Sequence, residues 1–203
     1  MNEEASECRV KGVTILGLIK LVKKRASEED MQRVLDLLDD EDREVFDERI
    51  LVSTWYPYRT FHNLLASIDE ILGQGDGALA HEIGRVSAEM DLTTVYRSIL
   101  SFLSPGFVTK RALAAWKNYY SPGQWEVIDE EKDGDNRLLR CRLAGFRTLS
   151  RVHCLNIVGW CEKFIELLGG KEIKVNEVAC IHQGADNCEF LLTWSEKKDS
   201  SDG

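Results

Sequence analysis

The chain has no surplus of basic charge: 26 Lys and Arg stand against 35 Asp and Glu, a formal net charge of -9. A surface that binds DNA or RNA must neutralise phosphates, so nucleic acid is excluded as a direct partner. The one basic run, residues 20–25, meets Glu28, Glu29 and Asp30 at once and reads as a solvated helix end. A long apolar run is also missing. Residues 13–22 are too few to span a bilayer, and Lys20 interrupts them. The first residues, Met1-Asn2-Glu3-Glu4, are acidic where a secretory signal is basic. These absences predict a soluble, cytoplasmic protein whose six cysteines stay reduced, so metal binding or plain burial outranks disulfides. There is no internal repeat. No glycine-rich phosphate loop follows a strand, since Gly73, Gly75 and Gly77 join two helices. Ser, Cys and His form no nucleophile motif, and no catalytic residue is assigned.

What is present is a change of period. Ser27-Glu28-Glu29-Asp30 has the form of a capping box, with Met31, Val34, Leu35 and Leu38 at helical spacing behind it. Tyr56-Pro57 opens a second helix through Tyr58, Phe61, Leu65, Ile68 and Leu72. Further helices are predicted through Leu79, Ile83, Val86 and Met90, and through Leu92, Val95, Tyr96, Ile99 and Leu103. Another follows Ser104-Pro105 through Val108, Ala112, Trp116 and Tyr119. After Ser121-Pro122-Gly123 the period becomes two. Trp125, Val127 and Asp129, then Leu139, Cys141 and Leu143 across the Asp133-Gly134-Asp135-Asn136 turn signal, read as a hairpin. Residues 149–168 form an apolar helix closed by Gly169-Gly170. Its stripe is Cys154, Val158, Cys161, Ile165 and Leu168, and Leu155, Ile157 and Phe164 make it apolar elsewhere too, which marks it as central. Strands over 172–181 and 188–194 close the chain. The predicted fold is α+β: a helical N-terminal part packed on a small antiparallel sheet that embraces one long central helix. The predicted organisation is a docking or dimerisation segment over 1–26, one domain over 27–195 and a disordered tail over 196–203.

The chemistry concentrates near the C-terminus. Cys154, Glu177, Cys180 and Cys188 offer three thiolates and a carboxylate, a set that suits zinc in a closed, structural site. Spacing alone leaves the alternative open that the cysteines are small buried hydrophobes. In a regular strand Glu177 and Cys180 face opposite ways, so a shared metal requires a bulge or a strand end between them. Val152-His153-Cys154, Gly159-Trp160, residues 169–173, Glu177-Val178-Ala179-Cys180, Gly184 and Cys188 together resemble the 4-vinyl-reductase domain of bacterial aromatic-responsive activators. Trp55-Tyr56-Pro57-Tyr58, residues 82–89 and Asn118-Tyr119-Tyr120 carry a looser resemblance to stand-alone bacterial members. The resemblance implies that Cys154, Glu177, Cys180 and Cys188 bind zinc, and that a ligand lies between the helical part and the sheet. It implies the fold shared by nitric-oxide sensors and vesicle-tethering subunits. It also implies a homodimer through the N-terminal part, here the apolar segment 10–22.

The remaining candidates are weaker. His153 and His182 flank the cysteine pattern and are expected in supporting positions rather than as ligands. The nitric-oxide-sensing haem fold requires an axial histidine and a Tyr-x-Ser-x-Arg clamp, and Tyr96-Arg97-Ser98 lacks that spacing. Asp39 to Asp42 read as a solvated helix junction. Phe102, Phe107, Trp116 and Tyr119, set against Val158 and Cys161 of the central helix, are the predicted walls of an apolar ligand pocket. The leading function is binding of a small, largely apolar molecule, with the signal passed to a partner protein because no output domain is visible. The alternative is a protein–protein adaptor with a solid core, and a reductase ranks third.

Overall fold

The computed structural model describes residues 8–93, 110 and 113–196, the side chains of 91–93 excepted. β1 (Arg9–Lys11) is the middle strand of a small antiparallel sheet, ordered β2-β1-β3 with β2 (Trp55–Pro57) and β3 (Tyr120–Ser121). It runs straight into α1 (Gly12–Val22), which turns Ile15, Leu18, Leu21 and Val22 inward at three- and four-residue spacing. Val10 and Ile15 are fully buried, and Val13 is the one large apolar side chain that the described part of this segment leaves exposed. Most of the apolar side chains of residues 10–22 are therefore turned toward the domain's own core.

α2 (Glu28–Asp36) begins with the capping box: the Ser27 hydroxyl accepts from the Asp30 N–H while the Asp30 carboxylate reaches back to the Ser27 N–H. Asp39 caps α3 (Asp40–Asp47). The junction is not simply solvated, because Asp42 is fully buried. Its carboxylate survives burial because Thr60 Oγ1 donates to it at 2.7 Å, Asn63 Nδ2 at 2.6 Å, and the Arg59 guanidinium lies 3.6 Å away. Pro57 precedes α4 (Tyr58–Leu72), as the Tyr-Pro signal predicts. α5 (Ala78–Thr93) starts on a buried carboxylate: Asp69 accepts from the Gly77 N–H at 2.8 Å and the Ala80 N–H at 3.0 Å. The helical residues expected from 94 through 109 lie outside the described residues.

The second sheet holds β4 (Gln124–Asp133), β5 (Asn136–Ala144), β6 (Lys171–Ala179) and β7 (Cys188–Ser195), in the order β4-β5-β7-β6 and antiparallel throughout. Leu139, Cys141 and Leu143 alternate inward on β5 and are buried. α6 (Arg151–Leu167) lies across this sheet and is the long central helix. α5 covers its other side at backbone distance. A methyl group on Gly84 would strike the Asn156 carbonyl, and one on Gly159 would strike the His81 carbonyl. Glycine at both positions is what allows this approach. The architecture is α+β, with helices on one side of an antiparallel sheet. No helix among the described residues is long and apolar enough to cross a membrane.

Candidate functional site

The Ser150 hydroxyl accepts from the Val152 N–H and fixes the start of α6. Two sets of side chains diverge from there. His153, Asn156, Ile157, Trp160, Cys161 and Phe164 share one face, at the intervals of three and four that define a helix stripe. Cys154 points toward the sheet.

The first face closes a cavity of about 570 Å³. α1 supplies Val13, Thr14, Gly17, Leu18 and Leu21; α4 supplies Phe61; α5 supplies Ile83, Ser87 and Met90. The chain entering β3 and β4 adds Leu113, Trp116, Tyr119, Tyr120 and Trp125. Trp160 and Phe164 stack at 4.5 Å between ring centroids. No Lys, Arg, Asp or Glu is among the described lining residues. Another depression, of about 670 Å³, is lined by Glu131, Arg137, Glu172 and Lys174 at the far end of the sheet and gathers no comparable apolar wall.

His153 is the deepest polar group in the cavity wall, only 1% exposed. Its Nδ1 lies 2.7 Å from the Tyr58 hydroxyl, which is itself fully buried. The backbone N–H of Leu149 beside the Tyr58 oxygen is a donor, so it offers nothing to the hydroxyl hydrogen. If Nδ1–H were the donor, the Tyr58 hydrogen would be buried without an acceptor, at a cost of about 1–3 kcal/mol. Tyr58 therefore donates to Nδ1, and the neutral imidazole carries its proton on Nε2. Burial, with a smaller push from His62, lowers His153 to about 3 and keeps the ring neutral. Phe61, Trp116 and Tyr120 hold it, with centroids at 5.5, 6.2 and 5.4 Å. Trp116 Nε1 is buried without a conventional acceptor, and its ring meets Phe146 and Trp125 edge to face.

The second face of α6 meets a thiol cluster. One ligand atom from each of Cys154, Glu177, Cys180 and Cys188 lies within 4.8 Å of the others. Cys154 and Cys188 Sγ are 3.6 Å apart, and Thr148 Oγ1 sits 3.6 and 3.7 Å from them. The contact between the two sulfurs holds Cys188 below the usual thiol range and drives Cys154 strongly upward. Burial, then the neighbouring Glu177, raises Cys180 to about 12. Glu177 Oε2 accepts from Arg151 Nε at 2.8 Å, whereas Oε1 is buried with no partner. The pairing of β6 with β7 shifts register between Glu177 and Ala179, and the strand ends there. This is the irregularity that lets Glu177 and Cys180 turn to the same side. His182 Nε2 pairs with Thr148 Oγ1 at 3.0 Å instead of joining the cluster.

Of the residues predicted for the pocket, Trp116, Tyr119 and Cys161 line the cavity. Val158 turns into the hydrophobic core, and Phe102 and Phe107 lie outside the described residues. The wall given by α1 and the place of His153 were missed. The stripe His153, Asn156, Ile157, Trp160, Cys161 and Phe164 is legible in the sequence at helical spacing, on a different face from Cys154.

No protein-family model matches the chain. No curated protein matches it either. Among solved structures it is similar to an H-NOX protein from S. oneidensis in the Fe(II)NO ligation state, with a TM-score of 0.65 at 14% identity over 92% of this chain and 99% of that one. It is similar to the Fe(II) unliganded H-NOX protein from K. algicida, with a TM-score of 0.64 at 12% identity over 93% and 98%. An oxygen-binding H-NOX domain related to soluble guanylate cyclases matches with a TM-score of 0.58 at 14% identity over 95% of each chain. The chain thus has the H-NOX fold, and at this identity the likeness speaks for fold alone.

Two expectations are corrected by this finding. The 4-vinyl-reductase resemblance is not supported, because the structural likenesses are to H-NOX proteins and no family model matches. It rested on spaced residues over 149–194 and on looser matches at 55–58, 82–89 and 118–120, whereas the H-NOX likeness spans over nine-tenths of the chain. Zinc as the cofactor falls with it, since the relatives sharing the fold are described by their iron. Haem is the group that such a fold implies, and the lining can be tested for it. A haem requires an axial ligand and cations for its propionates. All four histidines of the chain are described, and only His153 lines the cavity, with its Nδ1 engaged by Tyr58 and its proton on Nε2. Burial pushes the Cys161 thiol well up, away from thiolate, and no cation is among the described lining residues. The described lining does not fit haem. Tyr96, Arg97 and Ser98 lie outside the described residues.

Proposed function

We propose that the chain binds a small, largely apolar molecule in the cavity beside α6 and passes the event to a partner protein. The observation that carries this reading is the 570 Å³ cavity, walled by aromatic and aliphatic side chains where an adaptor would have a solid core. The H-NOX fold supports it, since related structures are described as NO-ligated or oxygen-binding. Native mass spectrometry of the purified protein, followed by thermal-shift screening with flat aromatic and isoprenoid compounds, tests it. A ligand that binds only the folded state stabilises it by an amount that grows with the logarithm of its concentration relative to Kd. The absence of any retained mass and of any thermal response would reject the reading in favour of the adaptor.

We also propose that Cys154, Glu177, Cys180 and Cys188 form a site for a thiophilic divalent cation that ties the β6–β7 hairpin to α6. The unpartnered Glu177 Oε1 beside three sulfur atoms supports it. The element is for metal analysis to name.

A further inference from the structure

We propose that the cavity selects a neutral, ring-bearing molecule with a carbonyl-type acceptor, anchored by the His153 Nε2–H. This deepens the ligand-binding reading above and rests on it.

One contact fixes the tautomer of His153. The Tyr58 hydroxyl has one acceptor within reach, His153 Nδ1 at 2.7 Å, and no solvent. Its donated hydrogen bond leaves Nε2 as the protonated nitrogen. Nε2 forms no hydrogen bond to a described residue, and the ring that carries it lines the cavity. An unused N–H at the floor of an apolar space is a recognition element for one acceptor atom. Trp116 Nε1–H, buried without an acceptor among the described residues, is the rival donor in this wall, and His153→Phe decides between the two. The other polar groups compete poorly for that role. Asn156 Nδ2 already donates to the Ala80 carbonyl at 2.9 Å. Thr14 and Ser87 are half-buried, and Asn118 is exposed, so they stand nearer the mouth.

Charge narrows the class. With no ionised side chain among the described lining residues, a carboxylate or phosphate would enter without a counter-charge, at a prohibitive desolvation cost. The acceptor is therefore neutral. The stacked Trp160–Phe164 pair and the Trp116 ring give planar walls, which favour a flat ring system behind the carbonyl. The imidazole cannot swing away from its position, because Phe61, Trp116 and Tyr120 pack around it.

Fluorenone and fluorene test the assignment, since they differ by a carbonyl in place of a methylene. The full chain should bind fluorenone about tenfold more tightly by tryptophan fluorescence titration, the scale of one hydrogen bond. Fluorene is the more hydrophobic, so partition alone gives the opposite order. Tyr58→Phe removes the donor that fixes the tautomer, and His153→Phe removes the anchor. Tyr58→Phe should weaken the preference and His153→Phe should erase it, while fluorene still binds. Histidine-selective nitrogen NMR of the wild type should report the Nε2–H tautomer, whatever the variants do. Equal affinity for the two compounds, a preference that survives both substitutions, or the Nδ1–H tautomer would overturn the anchor and leave the cavity reading intact. Failure of both compounds to bind would overturn the cavity reading and the anchor with it.

Discussion

His153 and Cys154 are consecutive, and a helical step of about 100° sends them to different places. The His153 imidazole accepts from Tyr58 in the cavity wall, and the Cys154 sulfur lies 3.6 Å from Cys188 beneath the sheet. One turn of α6 therefore serves both candidate sites. Changes at either residue should be separable in experiment although the positions adjoin.

The thiol cluster predicts metal content. Protein prepared without added metal should retain about one transition-metal ion per chain by elemental analysis, and Glu177→Gln should weaken retention by removing the unpartnered carboxylate oxygen. Chelation should lower stability by several kcal/mol, the scale of small structural sites. A metal-free preparation that melts at the same temperature with and without chelator would count against the site.

Filling the cavity from α1 should separate binding from folding. A side chain placed at Gly17 meets open space, and the residue lines the cavity. Gly17→Phe should leave stability within about 1 kcal/mol, or raise it, because glycine is a poor helix former. It should abolish the thermal response to any cavity ligand. A ligand response that persists unchanged would place the binding elsewhere.

The α5–α6 contact predicts the opposite pattern. In Gly84→Ala or Gly159→Ala the new methyl meets backbone carbonyls that cannot step aside. Each should destabilise by about 1–3 kcal/mol, as overpacking does. Urea unfolding measures this, and a neutral result would mean that the two helices part easily.

Acid should weaken the fold through two histidines. Burial lowers His62 below its ordinary value and His153 to about 3. In the unfolded chain both take up protons near 6.5, so below that pH the unfolded state holds more protons than the folded one. Stability is full above about 6.5 and falls as pH falls, by up to about 1.4 kcal/mol per unit for one such group. Urea midpoints at about pH 7 and about pH 5 should show the drop, and His153→Phe should flatten it. Equal midpoints at the two values would show that the rings are not held neutral.

Haem titration should give the absorption of free hemin, because the described lining offers neither a prepared axial ligand nor a cation for the propionates. A sharp new band that is lost in His153→Phe would reverse this and bring the chain's chemistry closer to its iron-bearing structural relatives.

Much of the architecture was legible. The Ser27 box, the Tyr-Pro start of α4, the hairpin around Gly134 and the central helix follow from local rules, and each is found within a few residues of its predicted place. Tertiary context decided the rest. Residues 10–22 look like an exposed apolar segment only until β1 pairs with β2 and β3, whose partners lie about 45 and 110 residues further along the chain. Asp42 looks solvated until Thr60 and Asn63 arrive from α4. The irregularity between Glu177 and Ala179 is set by pairing with β7, so strand period alone could not place that carboxylate.

The glycine contact has a consequence for motion. Gly84 and Gly159 bring α5 and α6 together with no layer of side chains between them. Such a layer is what lets packed helices slide or repack, so these two must travel as one plank. A guest reaching the cavity cannot prise them apart. α1 holds only its first residue in that way, Gly12 against the Leu51 carbonyl, whereas Gly17 faces the cavity with open space beside it, so room for a guest lies on the α1 side.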